Sequence, residues 1–359
     1  MEEGYSRLLA RRIIFGLFVM GLFTLCGVGR SFAEIITGAG ATFPYPIYAK
    51  WAAAYQKVSG VQLNYQAIGS GAGIQQIKAK TVDFGASDAP LEPKELEAAG
   101  LVQFPMVMGG ILPVVNLKGI KANQLRLDGE TLAKIYLGAI KKWDDPAIKA
   151  LNPGLNLPSE GITVVHRSDG SGTTWIYTHY LAAVSPEWAK AVGADKAVNW
   201  PTGVGGKGNQ GVAAYVERIN GAIGYVEYAY ALQNKELVPV SLKNKDGRFL
   251  VAKDETFRAA AARADWKHAP AGMKVVLVNE PGPDSWPITG ATFILMYKDQ
   301  ANPQKALSVL KFLDWCYKDG GAMAKELIYL PMPDEAVKLV EGMWAKDIKS
   351  GGKPIWAVH

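Results

Sequence analysis

Arg167, Asp169, Ser171 and Thr173 stand on alternate positions of the stretch HRSDGSGTTW (166–175), with Gly170 and Gly172 between them. A guanidinium, a carboxylate, two hydroxyls and bare backbone in so little chain suit the capture of a small oxyanion. Glycine lets the main chain approach a ligand, hydroxyls donate to it, and the arginine supplies charge. The same device occurs twice more, in GAGATFPYPIY and GSGAGIQQI, where glycines and small or hydroxyl residues run directly into a helix start. The first turn of a helix carries unpaired N–H groups and a positive dipole end, so each junction is suited to an anion. Any one of them reads equally as a helix N-cap. Three in one chain, one beside an arginine, favour convergence on a single oxyanion.

Asp88, in FGASDAPLEPKEL, is open to two readings. It can cap the helix that follows. Alternatively it faces the anion, which requires a ligand that brings a proton to share in a charge-assisted hydrogen bond. Phosphate carries such a proton at neutral pH; sulfate does not.

Enzyme patterns fit less well. TGVGGKGN contains G-x-G-x-x-G at Gly203, Gly205 and Gly208, but it follows Trp200-Pro201 rather than a strand and reads as a flexible loop. Gly208 after Lys207 breaks the Walker pattern. GASDA is one glycine short of a nucleophile elbow. His166 lies near Ser171 without an evident orienting carboxylate, so a catalytic triad is not indicated. His166, His179, His268 and Cys316 are scattered, and no metal-ligand cluster or cofactor motif is visible.

The elements that must hold these residues alternate between helix and strand, as in an α/β protein. IYAKWAAAYQKV has apolar residues at helix spacing, VQLNYQAI alternates as a strand, and IQQIKAK reads as a short helix. VDFGA, ITVV and GAIGYVEY read as strands, and TTWIYTHYLAAV as a helix with Ile176, Tyr180 and Val184 on one face. Two long apolar runs, FPMVMGGILPVVN (104–116) and WPITGATFILMYK (286–298), suit two crossings between domains. That predicts a discontinuous first domain, 34–113 with 288–359, a second domain, 114–287, and a hinge between them.

The N-terminus reads as a secretory signal: a basic start, the apolar stretch IIFGLFVMGLFTLCGV, then Ser31-Phe32-Ala33, with cleavage expected after Ala33. The apolar stretch is short for a membrane span of about 20 residues. Leu25 is too bulky for a lipid-attachment box before Cys26, and Arg11-Arg12 leaves a twin-arginine route open. Without residues 1–33 the formal charge falls from +6 to +4, through loss of Arg7, Arg11, Arg12, Arg30, Glu2 and Glu3. No basic run remains, so nucleic-acid binding is not indicated. Cys316 is then alone, and a buried structural thiol is its expected role.

TGAGATFPYPIYAKWAAAY, VDFGASDAPL, LGAIKKWDDPAI, RSDGSGTTW and GAIGYVEYAYA together resemble the PstS family, the phosphate-binding proteins of phosphate-specific ABC transporters. The resemblance covers nearly all of residues 34–359. It implies a type II periplasmic-binding-protein fold, with two α/β domains closing over one inorganic phosphate. It also implies a periplasmic receptor, expected to be monomeric and to have no cofactor, that passes its ligand to membrane permease subunits. Carried over by position, its phosphate ligands are Thr42, Phe43 (through its N–H), Ser70, Asp88, Arg167, Asp169, Ser171, Gly172 and Thr173. Asp88 would accept the ligand's proton, and Arg167 would bind phosphate while paired with Asp169. Ala72, His166 and Cys316 depart from the family pattern outside this set. A secreted phosphatase, a receptor for another oxyanion and a surface adhesin are the competing readings.

Overall fold

The structure, a computed structural model, describes residues 34–357. The signal segment and its expected cleavage site lie outside the described residues.

The expected alternation is present. β1 (Ile35–Gly40) leads to α1 (Tyr45–Ser59), β2 (Gln62–Ala67) to α2 (Ser70–Lys78), and β3 (Phe84–Ser87) to α3 (Pro93–Ala99). Helix α1 has a proline in its first turn and ends at Gly60, whose φ of 74° supplies the left-handed stop. It buries Ile47, Tyr48, Trp51 and Tyr55, one stripe along its length. Helix α3 is capped by Glu92, with Glu95 accepting from the Glu92 amide. Asp88 therefore caps no helix here, which removes the first of its two readings.

The two long apolar runs form the centre of the sheet. β4 (Leu101–Val115) is buried at every position. Further along come β5 (Thr163–Arg167), α4 (Gly172–Val184), β6 (Val204–Gly206), α5 (Gly208–Arg218) and β7 (Ala222–Glu227), then β8 (Ile288–Tyr297). The spine of the main sheet runs β2-β1-β3-β8-β4-β7-β5-β6. Three short strands, Val238–Pro239, Leu277–Val278 and Leu330–Pro331, pair at its flanks. β1 pairs in parallel with β2 and β3, and β5 in parallel with β6 and β7. β8 and β4 lie antiparallel between these two parallel groups.

β4 changes partner at its glycines. Leu101–Gly110 pairs with β8, and Ile111–Val115 pairs with β7. One strand thus belongs to both halves of the sheet. A Cβ at Gly110 would lie 2.1 Å from the Phe257 ring, so the partner exchange occurs where only a bare backbone fits.

One expectation is overturned. Residues 204–208 are not a flexible loop: Val204, Gly205 and Gly206 pair with Val165, His166 and Arg167, and α5 begins at once. Glycines have no side-chain pattern to advertise a strand. This one is only three residues long and takes its conformation from β5. Elsewhere Cys316 is buried and free on the helix Pro303–Lys318, as expected, and burial pushes its thiol well up. No helix among the described residues is long and apolar enough to cross a membrane, and no group of metal-ligating side chains is found among them.

Candidate functional site

Each parallel strand delivers its chemistry just past its carboxyl end, where ligands of open α/β sheets are received. β1 delivers Thr42 and Phe43, β2 delivers Ser70 at the start of α2, and β3 delivers Asp88. From the other half, β5 ends on Arg167 and runs through Asp169 to Ser171, Gly172 and Thr173 at the start of α4. Thr42, Phe43, Ser70, Asp88, Arg167, Ser171 and Thr173 are all buried.

The two groups meet. Ser70 Oγ accepts from the Gly172 amide at 3.0 Å and from the Asp88 amide at 3.2 Å. The Gly71 amide donates to the Gly170 carbonyl at 2.8 Å. A Cβ on Gly172 would lie 2.5 Å from the Asp88 Cβ, and one on Gly69 would lie 2.2 Å from Asp169 Oδ2. Bare backbone is therefore required on both sides of the junction. The Phe43 carbonyl accepts from the Tyr329 hydroxyl at 2.6 Å. Ser171 caps α4, its Oγ accepting from the Thr174 amide at 3.0 Å, which leaves its hydroxyl proton able to donate. Of the nine residues singled out in the sequence, Ser70, Asp88, Arg167, Asp169 and Gly172 are joined by direct contacts here, and Thr42 and Thr173 share one further partner.

The two carboxylates are driven apart in character. Arg167 donates to Asp169 through Nε at 2.8 Å and Nη2 at 2.6 Å, and the Gly208 amide adds a third bond at 3.0 Å. Burial works to raise the Asp169 carboxyl, but these donors outweigh it and hold the group below the usual range. Asp169 is thus a fixed negative charge that neutralises Arg167. Asp88 has no such partner. Burial pushes it up to about 7, against the pull of the Thr292 hydroxyl, Arg167 and Ser70. Its Oδ1 and the Nη1 of Arg167 are buried without a partner among the protein's own atoms. A group that gains or loses a proton near neutrality therefore shares the site with a permanent donor.

Some participants were not foreseen. Asn209 Nδ2 donates to Thr42 Oγ1 at 2.8 Å and to Thr173 Oγ1 at 3.1 Å. Tyr230 donates to the Thr42 carbonyl at 2.6 Å. Glu227, buried at the end of β7, is tied to Tyr329 at 2.7 Å. A signal for Asn209 was present: GGKGN is a fourth glycine run entering a helix. Glu227 and Tyr230 lie within the family stretch GAIGYVEYAYA without any local chemistry to single them out, and nothing in the local sequence marks Tyr329. His166 belongs to a different environment, its ring stacked on Trp200 at 4.8 Å between centroids.

Comparison with known proteins places this geometry in a class. The model of the PBP superfamily domain matches residues 29–319. A phosphate-binding protein from Stenotrophomonas maltophilia shares the fold, with a TM-score of 0.66 at 19% identity, over 90% of this chain and 97% of that one. The molecule thus has the periplasmic-binding-protein fold, its two parallel groups of strands joined through β8 and β4 in one mixed sheet. Sequence similarity narrows this. The phosphate-binding protein PstS of Pasteurella multocida is 56% identical over 325 residues, covering 90% of this chain and 94% of that protein. That of Haemophilus influenzae is 55% identical over 317 residues, covering 88% and 94%. The chain belongs to the PstS family of phosphate-binding proteins.

Proposed function

We propose that this protein is an extracytoplasmic, periplasmic receptor that closes on one inorganic phosphate and presents it to the permease of an ABC transporter. The observation that carries the proposal is the pair of buried, unpartnered atoms, Asp88 Oδ1 and Arg167 Nη1, within a shell of hydroxyls and helix-start amides. One atom accepts and the other donates. A ligand that satisfies both must offer a proton and an anionic oxygen together. Phosphate does so, whereas sulfate leaves the Asp88 carboxylate facing an anion. The donors are Thr42, the Phe43 amide, Ser70, Arg167, Ser171 and Thr173; the Gly172 amide, expected among them, donates to Ser70 Oγ instead and joins the two helix starts, while Asp88 accepts and Asp169 steadies Arg167.

The role is binding and delivery, not catalysis. Residues 34–113 and 288–359 form one domain and 114–287 the other. The change of partner at Gly110 and Ile111 supports a hinge at that point. A ligand drives closure only by binding the closed state better than the open one. Here donors from both halves surround it only when closed, which also gives the permease a shape to recognise. The receptor acts as a monomer, with no cofactor and no nucleic-acid partner.

Calorimetric titration of residues 34–359 with phosphate, beside an assay for phosphate release from phosphate esters, tests the reading. Saturable one-to-one binding without release is expected. Ester hydrolysis, or no heat with phosphate, would contradict it.

A further inference from the structure

We propose that Asn209 is a positioning residue that fixes the polarity of two threonine hydroxyls, holding both as donors toward the ligand. This rests on the phosphate reading above and extends it to a residue outside the ligand set.

Thr42 Oγ1 accepts twice from the same residue, from the Asn209 amide nitrogen at 3.1 Å and from Nδ2 at 2.8 Å. A hydroxyl has two acceptor sites and one proton. With both acceptor sites filled, the Thr42 hydroxyl can only donate. The second Nδ2 proton goes to Thr173 Oγ1 at 3.1 Å, which inclines that hydroxyl the same way. Thr42 follows β1 and Thr173 lies in α4, so one amide group orients hydroxyls from both halves of the sheet.

The amide itself cannot turn over. Its Oδ1 accepts from the Glu227 backbone N–H at 2.9 Å, and a peptide N–H can only donate. Oδ1 must face Glu227, so Nδ2 must face the threonines. Asn209 is fully buried, and every polar atom of its side chain is used. Its neighbour Gly208 donates to Asp169. The first two residues of α5 thus set both the carboxylate that neutralises Arg167 and the two hydroxyls. For an anion the arrangement matters because a hydroxyl free to rotate can present a lone pair instead of a proton.

The test is a mutant cycle on phosphate affinity measured by calorimetry, with thermal unfolding followed alongside. In the otherwise unaltered protein, Asn209→Ala should weaken phosphate binding roughly 10- to 100-fold, as expected for hydrogen bonds to a charged group. With Thr42→Val and Thr173→Val already present, the same change should weaken it less than about 3-fold, since no hydroxyl remains to orient. A purely structural role would produce equal losses in both backgrounds and would overturn the proposal. So would an unchanged affinity in folded Asn209→Ala protein. If that variant does not fold, Asn209→Asp serves instead, being the same shape but an acceptor where the amide donates. It must lose more affinity with the threonines present than with valines; equal losses overturn the proposal. Absence of phosphate binding by the unaltered protein would sink the phosphate reading itself, whereas binding with additive losses would sink only the role of Asn209.

Discussion

Ser70 Oγ lies 3.0 Å from the Gly172 amide nitrogen, so a hydroxyl at the start of α2 accepts a hydrogen bond from the start of α4. The same oxygen accepts from the Asp88 amide. A single atom thus ties the two helix starts to the backbone of Asp88. Of the two amides that Ser70→Ala leaves without an acceptor, only that of Gly172 comes from the other group of strands, and its loss in the closed arrangement is worth about 1–3 kcal/mol. Phosphate binding should weaken about 10- to 100-fold, with a much smaller effect on thermal unfolding of the phosphate-free protein. Small-angle scattering should then require more phosphate to reach the compact form. Unchanged calorimetric affinity would mean that the bond contributes nothing to closure.

Gly172→Ala tests the closeness of the two halves. The added Cβ would fall 2.5 Å from the Asp88 Cβ and 2.6 Å from its Oδ2, nearer than real contacts allow. Asp88 and Gly172 come from opposite groups of strands, and in the hinge proposed above those groups would separate without unfolding. Overpacking of this kind costs roughly 1–3 kcal/mol, so a loss of about 10- to 100-fold in phosphate affinity is expected with the fold intact by circular dichroism. Binding as tight as in the unaltered protein would show that the halves do not meet in this way.

Burial of Asp88 has a pH signature. Its folded value is raised from 3.8 to about 7, so between those values the folded protein holds a proton that the unfolded chain has lost. Stability of the arrangement that buries Asp88 must therefore fall as pH rises through that window, and the full cost is present above it. Asp88→Asn removes this contribution. Urea unfolding should show the variant gaining on the unaltered protein from pH 4 to pH 7. A difference that stays constant across the window would contradict the assigned environment.

Tyr329 and Glu227 form a second buried device. The Tyr329 oxygen is 2.6 Å from the Phe43 carbonyl and 2.7 Å from Glu227 Oε2. One hydroxyl proton cannot serve both, so Glu227 must supply the other. Burial, which pushes the Glu227 carboxyl well above its ordinary range, favours that protonated form. Tyr329→Phe should cost at least about 1–3 kcal/mol by urea unfolding, since it leaves the buried Phe43 carbonyl without its donor and the Glu227 hydroxyl without its acceptor. Glu227→Gln, which keeps a donor, should cost distinctly less. Equal costs would mean that Glu227 is not the donor.

Much of this was legible before any coordinates. The stripe of Ile47, Trp51 and Tyr55, the strands around VDFGA and ITVV, and the glycine-rich entries to α2 and α4 follow from local spacing and backbone freedom. The apolar runs at 104–116 and 286–298 are the two central strands, and Gly109-Gly110 marks where β4 changes partner. What stayed hidden depends on contacts between distant segments. Ser70 and Gly172 are 102 residues apart, and Thr42 and Asn209 are 167 apart. Val204–Gly206 becomes a strand only because β5 is beside it. Asp88 read equally as a cap until α3 proved to be capped by Glu92. Glu227 and Tyr329 are ordinary residues in their own neighbourhoods and acquire meaning only from each other.

The central claim is that Asp88 selects a ligand able to share a proton. Sites built around a specific hydrogen bond reject the analogue lacking it by about 10⁴–10⁵. The most direct measurement is calorimetric affinity for phosphate and for sulfate, in the unaltered protein and in Asp88→Asn. The unaltered protein should prefer phosphate, and increasingly so as pH rises above about 7, where Asp88 no longer holds a proton of its own to lend to sulfate. Asp88→Asn, whose amide can donate to either anion, should bring the two affinities much closer together. If the preference is the same in both proteins, Asp88 does not read the proton and the account of the site is wrong.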